Sequence, residues 1–326
     1  MNSLEIIQKD LSPLLDKVNI TIRESLYSTN IMLKGIIDFF LAKRGKQIRP
    51  IFTLLIADLL GKSNEKTING AAAIELLHNA SLIHDDVVDN SEIRRNANTL
   101  NKIWDNQIAV LVGDFFVTSA LERALSTGNI STVTAISELG RQLAVGELDQ
   151  IYNAKNNILD EQAYIKMIEL KTASLFITCA TIGAQSVNAS KEDTEKVCEF
   201  ARLLGICFQI KDDTFDYFKQ ESGRVGKPVE ADLLEGKISL PLLHVLIKDR
   251  EAGKQEYIEL CKKENLSQSE VQELVEYARN NSGIDYAVDY MNNLYKQALL
   301  LLESFSNTEA TSRLDQLFRY VIERDY

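Results

Sequence analysis

Residues 191–217 read KEDTEKVCEFARLLGICFQIKDDTFDY. Val197, Phe200, Ala201, Leu204 and Phe208 recur there at intervals of three and four, the stripe of a helix that turns one face to a core. Continued by fours, the same row reaches Asp212 and then Asp216. A helix that begins by burying hydrocarbon therefore ends by pointing carboxylates the same way. Segment 66–88 repeats the pattern: Ile74, Leu77 and Ser81 lead to Asp85, with Asp89 one turn further. Charges are rarely enclosed unless they are paired or metal-bound. Like charges four residues apart repel, and acids at a helix C-terminus oppose the macrodipole. Two helices that break these rules in the same way have a shared purpose.

Working outward, helical periodicity recurs almost everywhere. The spacing predicts helices at 4–26, 30–42, 48–60, 66–88, 102–124, 130–152, 160–184, 191–219, 238–248, 268–304 and 308–323, with loops at 61–65, 90–99, 153–159 and 220–236. Only 4 prolines and 15 glycines punctuate the 326 residues, which favours long helices over many strands. No repeat, low-complexity tract or linker divides the chain, so a single all-α domain over 1–326 is expected.

The net charge of −11 argues against a nucleic-acid partner, which would want a basic surface. It does not exclude an anionic substrate, because bound divalent cations reverse the sign of a site. Cys179, Cys198, Cys207 and Cys261 show no CxxC pair and read as reduced thiols. The N-terminal stretch lacks a signal-peptide layout, and no uninterrupted apolar run reaches the ~18 residues of a spanning helix. A cytoplasmic protein without a transmembrane segment is the expectation.

Hard cations such as Mg²⁺ take oxygen ligands and commonly bridge one or two carboxylates to substrate phosphates. A DDxxD on a helix sets its first and last Asp one turn apart on one face. Asp85-Asp86-Val87-Val88-Asp89 and Asp212-Asp213-Thr214-Phe215-Asp216 could thus hold a diphosphate between them through several ions. Cations stand where a second anion would want them: Arg44-Gly45-Lys46-Gln47-Ile48-Arg49 at a helix start, Arg94-Arg95 after the first cluster, and Lys171, Lys227 and Lys237 around the second. One anionic group would be held through metal and another directly by Lys, Arg and His.

With these residues in view, the chain resembles the trans-isoprenyl diphosphate synthase, or polyprenyl synthetase, family. The carrying stretches are RGKQIRP (44–50), ELLHNASLIHDDVVDNSEIRR (75–95), VLVGDFF (110–116), GELDQ (146–150), KTASL (171–175), FQIKDDTFDY (208–217), GKPVEADLLEGKISLP (226–241) and FRYVIER (318–324). The resemblance implies a helical bundle around a deep central cavity, with an aspartate cluster on each wall. It implies two to three Mg²⁺ ions on Asp85, Asp86, Asp89, Asp212, Asp213 and Asp216. An allylic diphosphate would meet Arg94, Lys171, Thr172, Gln209, Lys227 and Lys237. Isopentenyl diphosphate would meet Gly45, Lys46, Arg49, His78 and Arg95. Such enzymes are typically homodimers.

The implied catalytic groups are Asp85, Asp86, Asp89, Arg94, Lys171, Asp212 and Asp213. The released diphosphate can take the proton, so no protein base is needed, and His84 reads as a core histidine. Three positions depart from the family pattern. Gln47 stands where a basic residue is common, Asn96 replaces a frequent glycine, and Arg44 replaces the first of two glycines.

Ala80 and Ser81, five and four positions before Asp85, are small where bulky aromatics stop short products in the resembling family. With Leu77 beside them and Phe115 and Phe116 as a deeper floor, a C30 to C45 product of octaprenyl type is expected. A C20 geranylgeranyl diphosphate synthase and a non-catalytic subunit of a heteromeric prenyltransferase are the alternatives. A terpene cyclase would not need the second anion site.

Overall fold

The computed structural model of the chain describes residues 2–42, 45–94, 97–218, 231–263 and 265–324. The first half carries α1 (Ser3–Asp10), α2 (Ser12–Ser25), α3 (Ile31–Leu41), α4 (Ile48–Leu60), α5 (Glu65–Val88), α6 (Leu100–Ile103), α7 (Asn106–Leu125) and α8 (Ile130–Lys155). The second carries α9 (Glu161–Ile168), α10 (Ser174–Ser186), α11 (Lys191–Thr214), α12 (Ala231–Leu234), α13 (Leu240–Glu251), α14 (Glu256–Cys261), α15 (Gln268–Asn280), α16 (Gly283–Leu302) and α17 (Thr308–Glu323). The all-α architecture expected from the sequence is the one observed.

At the centre stands α5. Asn64 caps it by accepting from the Lys66 and Thr67 amides, and Thr67 closes the capping box. Its small residues Gly70, Ala71, Ala72 and Ala73 are all buried, so neighbouring helices come close on every side. α7 runs along it, α2 and α4 flank it, and α10 lies against both α4 and α11. The predicted stripe of α11 is borne out: Val197, Phe200, Ala201 and Leu204 are buried. Each large apolar side chain there contributes roughly 1.5–3 kcal/mol. A smaller core joins Tyr217, Leu242 and Leu246 to Val271 and Leu274 of α15.

Several expectations need correction. The helix at 4–26 is two helices, because Pro13 enters the first turn of α2, where a missing N–H is tolerated, and could not continue α1. The helix at 268–304 is also two: Ser282 sits at φ 63 and Gly283 starts α16. A Cβ on Gly283 would stand 2.2 Å from the Pro241 carbonyl. Likewise α6 and α7 divide the helix at 102–124, parted at Asp105, and α14 falls where no helix was expected. Segment 191–219 leaves the α-helix at Thr214, so Asp216 lies in a 3₁₀ turn over Phe215–Tyr217. The loop at 90–99 holds a two-stranded ribbon, β1 (Ile93–Arg94) against β2 (Ala97–Asn98).

Segment 160–184 is helical but not uniformly so. A π turn occupies Glu169–Ala173 between α9 and α10. The joined stretch Glu161–Ser186 is long and apolar enough to cross a membrane, but 67% of its most apolar window is buried inside the protein. That is the character of a core helix.

Candidate active site

The two aspartate clusters end α5 and α11, and in each the middle acid is the buried one. Asp86 is 7% exposed and Asp213 8%. Asp85, Asp89, Asp212 and Asp216 are half-buried. The row drawn by fours finds the right faces, yet consecutive residues on a helix differ by about 100°, and the deepest carboxylate lies one step off that row.

Each middle acid has specific protein partners. Arg94 Nε donates to Asp86 Oδ1 at 2.6 Å. The ribbon makes this contact possible by folding the chain back beneath the end of α5, and Asn101 Nδ2 donates to the Asp86 carbonyl at 3.2 Å. Asp213 accepts from Tyr164 Oη at 2.5 Å and from Gln209 Nε2 at 2.7 Å. Burial, followed by the Asp213 charge, pushes the Tyr164 phenol well above its usual range. Tyr164 therefore stays a donor.

Lys171 and Thr172 lie in the π turn, where α8 and α11 approach it. Lys171 Nζ forms an ion pair with Glu147 and donates to Gln150 Oε1 at 2.6 Å. Thr172 Oγ1 donates to Gln209 Oε1 at 2.6 Å, and Gln209 in turn holds Asp213. Lys237 Nζ lies 3.5 Å from Asp89 Oδ1 and 2.5 Å from Glu235 Oε2. Lys237 thus reaches the first cluster, and Thr172, beside Lys171, leads through Gln209 to the second. Chain-distant segments meet at one site.

Burial pushes the Asp85 carboxyl up to about 6, with Glu147 and Asp89 adding to the rise and Lys171 and Arg94 opposing it. Among the described residues no three His, Cys, Asp or Glu side chains converge tightly enough to hold a metal ion by themselves. A hard cation here would need oxygen ligands from elsewhere, as when phosphates complete a Mg²⁺ shell.

At the start of α4, Gly45 precedes the helix, the Lys46 carbonyl accepts from Gln8 Nε2 at 2.8 Å, and the Lys46 ammonium sits 5.8 Å from the Tyr320 ring centre. The Arg49 guanidinium is 6.0 Å from the Phe176 ring centre, and His78 is buried. Gln47, with φ 54, donates from Nε2 to Asn19 Oδ1 at 2.6 Å and so ties this loop to α2. Arg44, Arg95, Asn96 and Lys227 lie outside the described residues.

A cavity of about 390 Å³ opens between α2, α3 and α5, lined among others by Gly45, Gln47, Glu75, Asn79, Asp86 and Arg94. A hollow of about 40 Å³ lies beside Gln150, Tyr164, Asp213 and Lys237. None of Leu77, Ala80, Ser81, Phe115 and Phe116 lines either. Leu77 and Ala80 are buried, Ser81 and Phe115 half-buried, and Phe116 packs on Phe40 with ring centres 5.2 Å apart.

Sequence reasoning missed four residues of this network. Glu147, Gln150 and Tyr164 act on predicted site residues from other helices. Arg324 Nη2 donates to Asp212 Oδ1 at 2.5 Å and to the Phe208 carbonyl at 3.0 Å. Its guanidinium stacks 4.0 Å from the Phe208 ring centre. GELDQ and FRYVIER hinted at three of the four; nothing local marks Tyr164.

The sequence profile of polyprenyl synthetases matches residues 30–278. The chain belongs to the polyprenyl synthetase family. It is 31% identical over 325 residues to an octaprenyl diphosphate synthase of Haemophilus influenzae, covering 99% of this chain and 98% of that one. The fold superposes with a TM-score of 0.92 on a polyprenyl synthase from Caulobacter crescentus complexed with calcium and isoprenyl diphosphate. That pair is 27% identical, with 100% and 99% of the two chains covered. A geranylgeranyl pyrophosphate synthase from Bacteroides thetaiotaomicron is 31% identical, with a TM-score of 0.82 and 99% and 100% coverage. As a polyprenyl synthetase the chain is a prenyltransferase.

The Asp85 environment has a measurable consequence. Folding raises its pKa from 3.8 to about 6, so the folded state holds the proton more tightly than the unfolded chain does. The stabilisation this gives is complete below pH 3.8 and lost as pH rises through 6, leaving a liability of at most about 3 kcal/mol at neutral pH. Metal-free Asp85→Asn should therefore be more stable than the parent by about 1–3 kcal/mol at pH 7.5, the gain vanishing near pH 4. Calorimetric melting in EDTA across this range measures it. A pH-independent difference, or a destabilised variant at pH 7.5, would refute the account.

Proposed function

We propose that the chain extends an allylic prenyl diphosphate by repeated condensation with isopentenyl diphosphate, using two to three Mg²⁺ ions, to an all-trans product of C30 to C45. The observation that carries this reading is the meeting of chain-distant groups at one site, with Lys237 at Asp89 of the first cluster and Thr172, beside Lys171, joined through Gln209 to Asp213 of the second. A cluster of carboxylates, with their hard oxygen donors, suits a cation shared with a diphosphate. Asp85, Asp89, Asp212 and Asp216 would hold the ions, while Asp86 and Asp213 contribute by orienting Arg94, Tyr164 and Gln209. Bound metal supplies positive charge against which the diphosphate departs.

The chain's own residues would do the rest. Arg94, Lys171 and Lys237 meet the allylic diphosphate with fixed positive charge, joined by Gln209, Thr172 and Lys227. Gly45, Lys46, Arg49, His78 and Arg95 hold isopentenyl diphosphate so that its double bond faces the allylic carbon. The carbon–oxygen bond to diphosphate breaks, the new carbon–carbon bond forms, and the released diphosphate accepts the proton. No side chain is required as base.

Product length rests on Ala80 and Ser81. Similarity does not choose it, since the Haemophilus octaprenyl relative and the Bacteroides geranylgeranyl relative are each 31% identical to this chain. In the resembling family, small side chains at these positions leave the tunnel open where bulky aromatics would close it, and each isoprene unit needs roughly one turn, ~5 Å. Purified enzyme given farnesyl diphosphate and labelled isopentenyl diphosphate should yield C30 to C45 by chromatography, and Ser81→Phe should shorten the product. Asp212→Ala should lower turnover by about 10²-fold or more with unchanged helicity. A parent product that stops at C15, or near-normal Asp212→Ala rates, would overturn the reading.

A homodimer is part of the proposal. Leu111 and Leu125 of α7, with Val145, Leu148 and Tyr152 of α8, are exposed apolar side chains along one face of each helix. A second copy of the chain is the occupant that would cover both faces by two-fold symmetry. Light scattering should give twice the monomer mass, and Leu111→Asp with Leu148→Asp should give the monomer. A monomeric parent would sink it.

A further inference from the structure

Gly146 lies where α8 meets the π turn that carries Lys171. A Cβ at Gly146 would stand 2.6 Å from the Lys171 backbone nitrogen and 2.9 Å from its Cα, so only glycine permits this approach. The close approach brings Glu147 and Gln150 within reach of the Lys171 ammonium. Glu147 forms the ion pair, and Gln150 Oε1 accepts at 2.6 Å. Both charged side chains are largely enclosed, Glu147 being 15% exposed and Lys171 26%.

We propose that Glu147, backed by Gln150, is a positioning residue for Lys171, holding its ammonium on station for the allylic diphosphate. The inference rests on the assignment of Lys171 to that diphosphate. Lysine is a point charge on a flexible four-carbon stem with three N–H donors. Two acceptors from a rigid helix occupy two of those donors and leave one to aim at substrate. Ordering the stem before binding removes an entropic penalty that the substrate would otherwise meet.

Charge adds to the case, because Glu147 is the carboxylate that pairs with the Lys171 ammonium. Gln150, one turn along the same face, keeps the geometry but cannot supply the charge. Glycine, acid and amide in GELDQ thus act together: the first admits the π turn, the others hold its lysine.

The test is steady-state kinetics with farnesyl diphosphate, isopentenyl diphosphate and Mg²⁺ on the parent, Glu147→Gln, Lys171→Gln and the double variant. Glu147→Gln keeps the shape and removes the charge. It should raise the KM for the allylic substrate about ten-fold or more and leave that for isopentenyl diphosphate within about two-fold. In the Lys171→Gln background, Glu147→Gln should add less than about two-fold, because residues acting through one group are not additive. Equal effects of Glu147→Gln in both backgrounds, or equal shifts in the two KM values, would overturn the proposal while leaving Lys171 in its role. Normal kinetics for Lys171→Gln would instead overturn the assignment of Lys171, and this proposal with it. Melting temperatures and equilibrium binding of a thiolo analogue of farnesyl diphosphate separate these results from a folding defect.

Discussion

Keeping several carboxylates together where water is scarce is the constraint that the rest of the site obeys. Each acid must be matched by a cation, bonded to a donor, or left destabilised for a ligand to satisfy. All three solutions occur within a few residues. Asp86 is matched by Arg94, Asp213 is bonded by Tyr164 and Gln209, and Asp85 is left pushed up to about 6. Asp86 and Asp213 are the buried acids, while the half-buried Asp89 and Asp212 pair with Lys237 and Arg324. The ribbon of β1 and β2, the π turn at 169–173 and the C-terminal Arg324 each bring a donor or cation to the acid-rich end of a helix.

That division also explains why adjacent aspartates in one motif are not equivalent. Arg94 binds Asp86 from outside the helix and simultaneously brings positive charge to the C-terminus of α5, where the macrodipole favours it. Asp213 orients Gln209, which orients Thr172, so a neutral hydrogen-bond chain sets the second wall without adding charge. The middle acids are the buried, hydrogen-bonded ones, and the outer acids Asp89 and Asp212 are met by cations from distant parts of the chain.

Much of this was legible in the sequence, for physical reasons that differ by element. α5 and α11 could be read because a core-facing stripe is a local pattern, and the acids at its end stood out against it. The break at Leu11 was signalled by Pro13, and that at 281–283 by Asn281-Ser282-Gly283, but the apolar period runs through both and masked them. Which aspartate is deepest could not be read. It depends on Arg94 and Tyr164, which reach the acids only after the ribbon and α9 are in place. Glu147 and Arg324 were hidden for the same reason: their partners are set by packing, and nothing in their own neighbourhoods names Lys171 or Asp212.

The π turn has a consequence for how the stretch from Glu161 to Ser186 is related to any other chain. A π turn holds more residues per turn than an α-helix, so α9 and α10 run on from one another but are out of phase. No single periodic row describes both. Removing one residue between 169 and 173 would restore a uniform helix and rotate everything beyond it by about 100°, presenting a different face of α10 to α4 and α11. The irregularity acts as a phase correction, letting one nearly continuous rod offer a reactive edge at its middle and a fully packed surface after it. Chains aligned without regard to it would agree in composition and disagree in which side chains point inward.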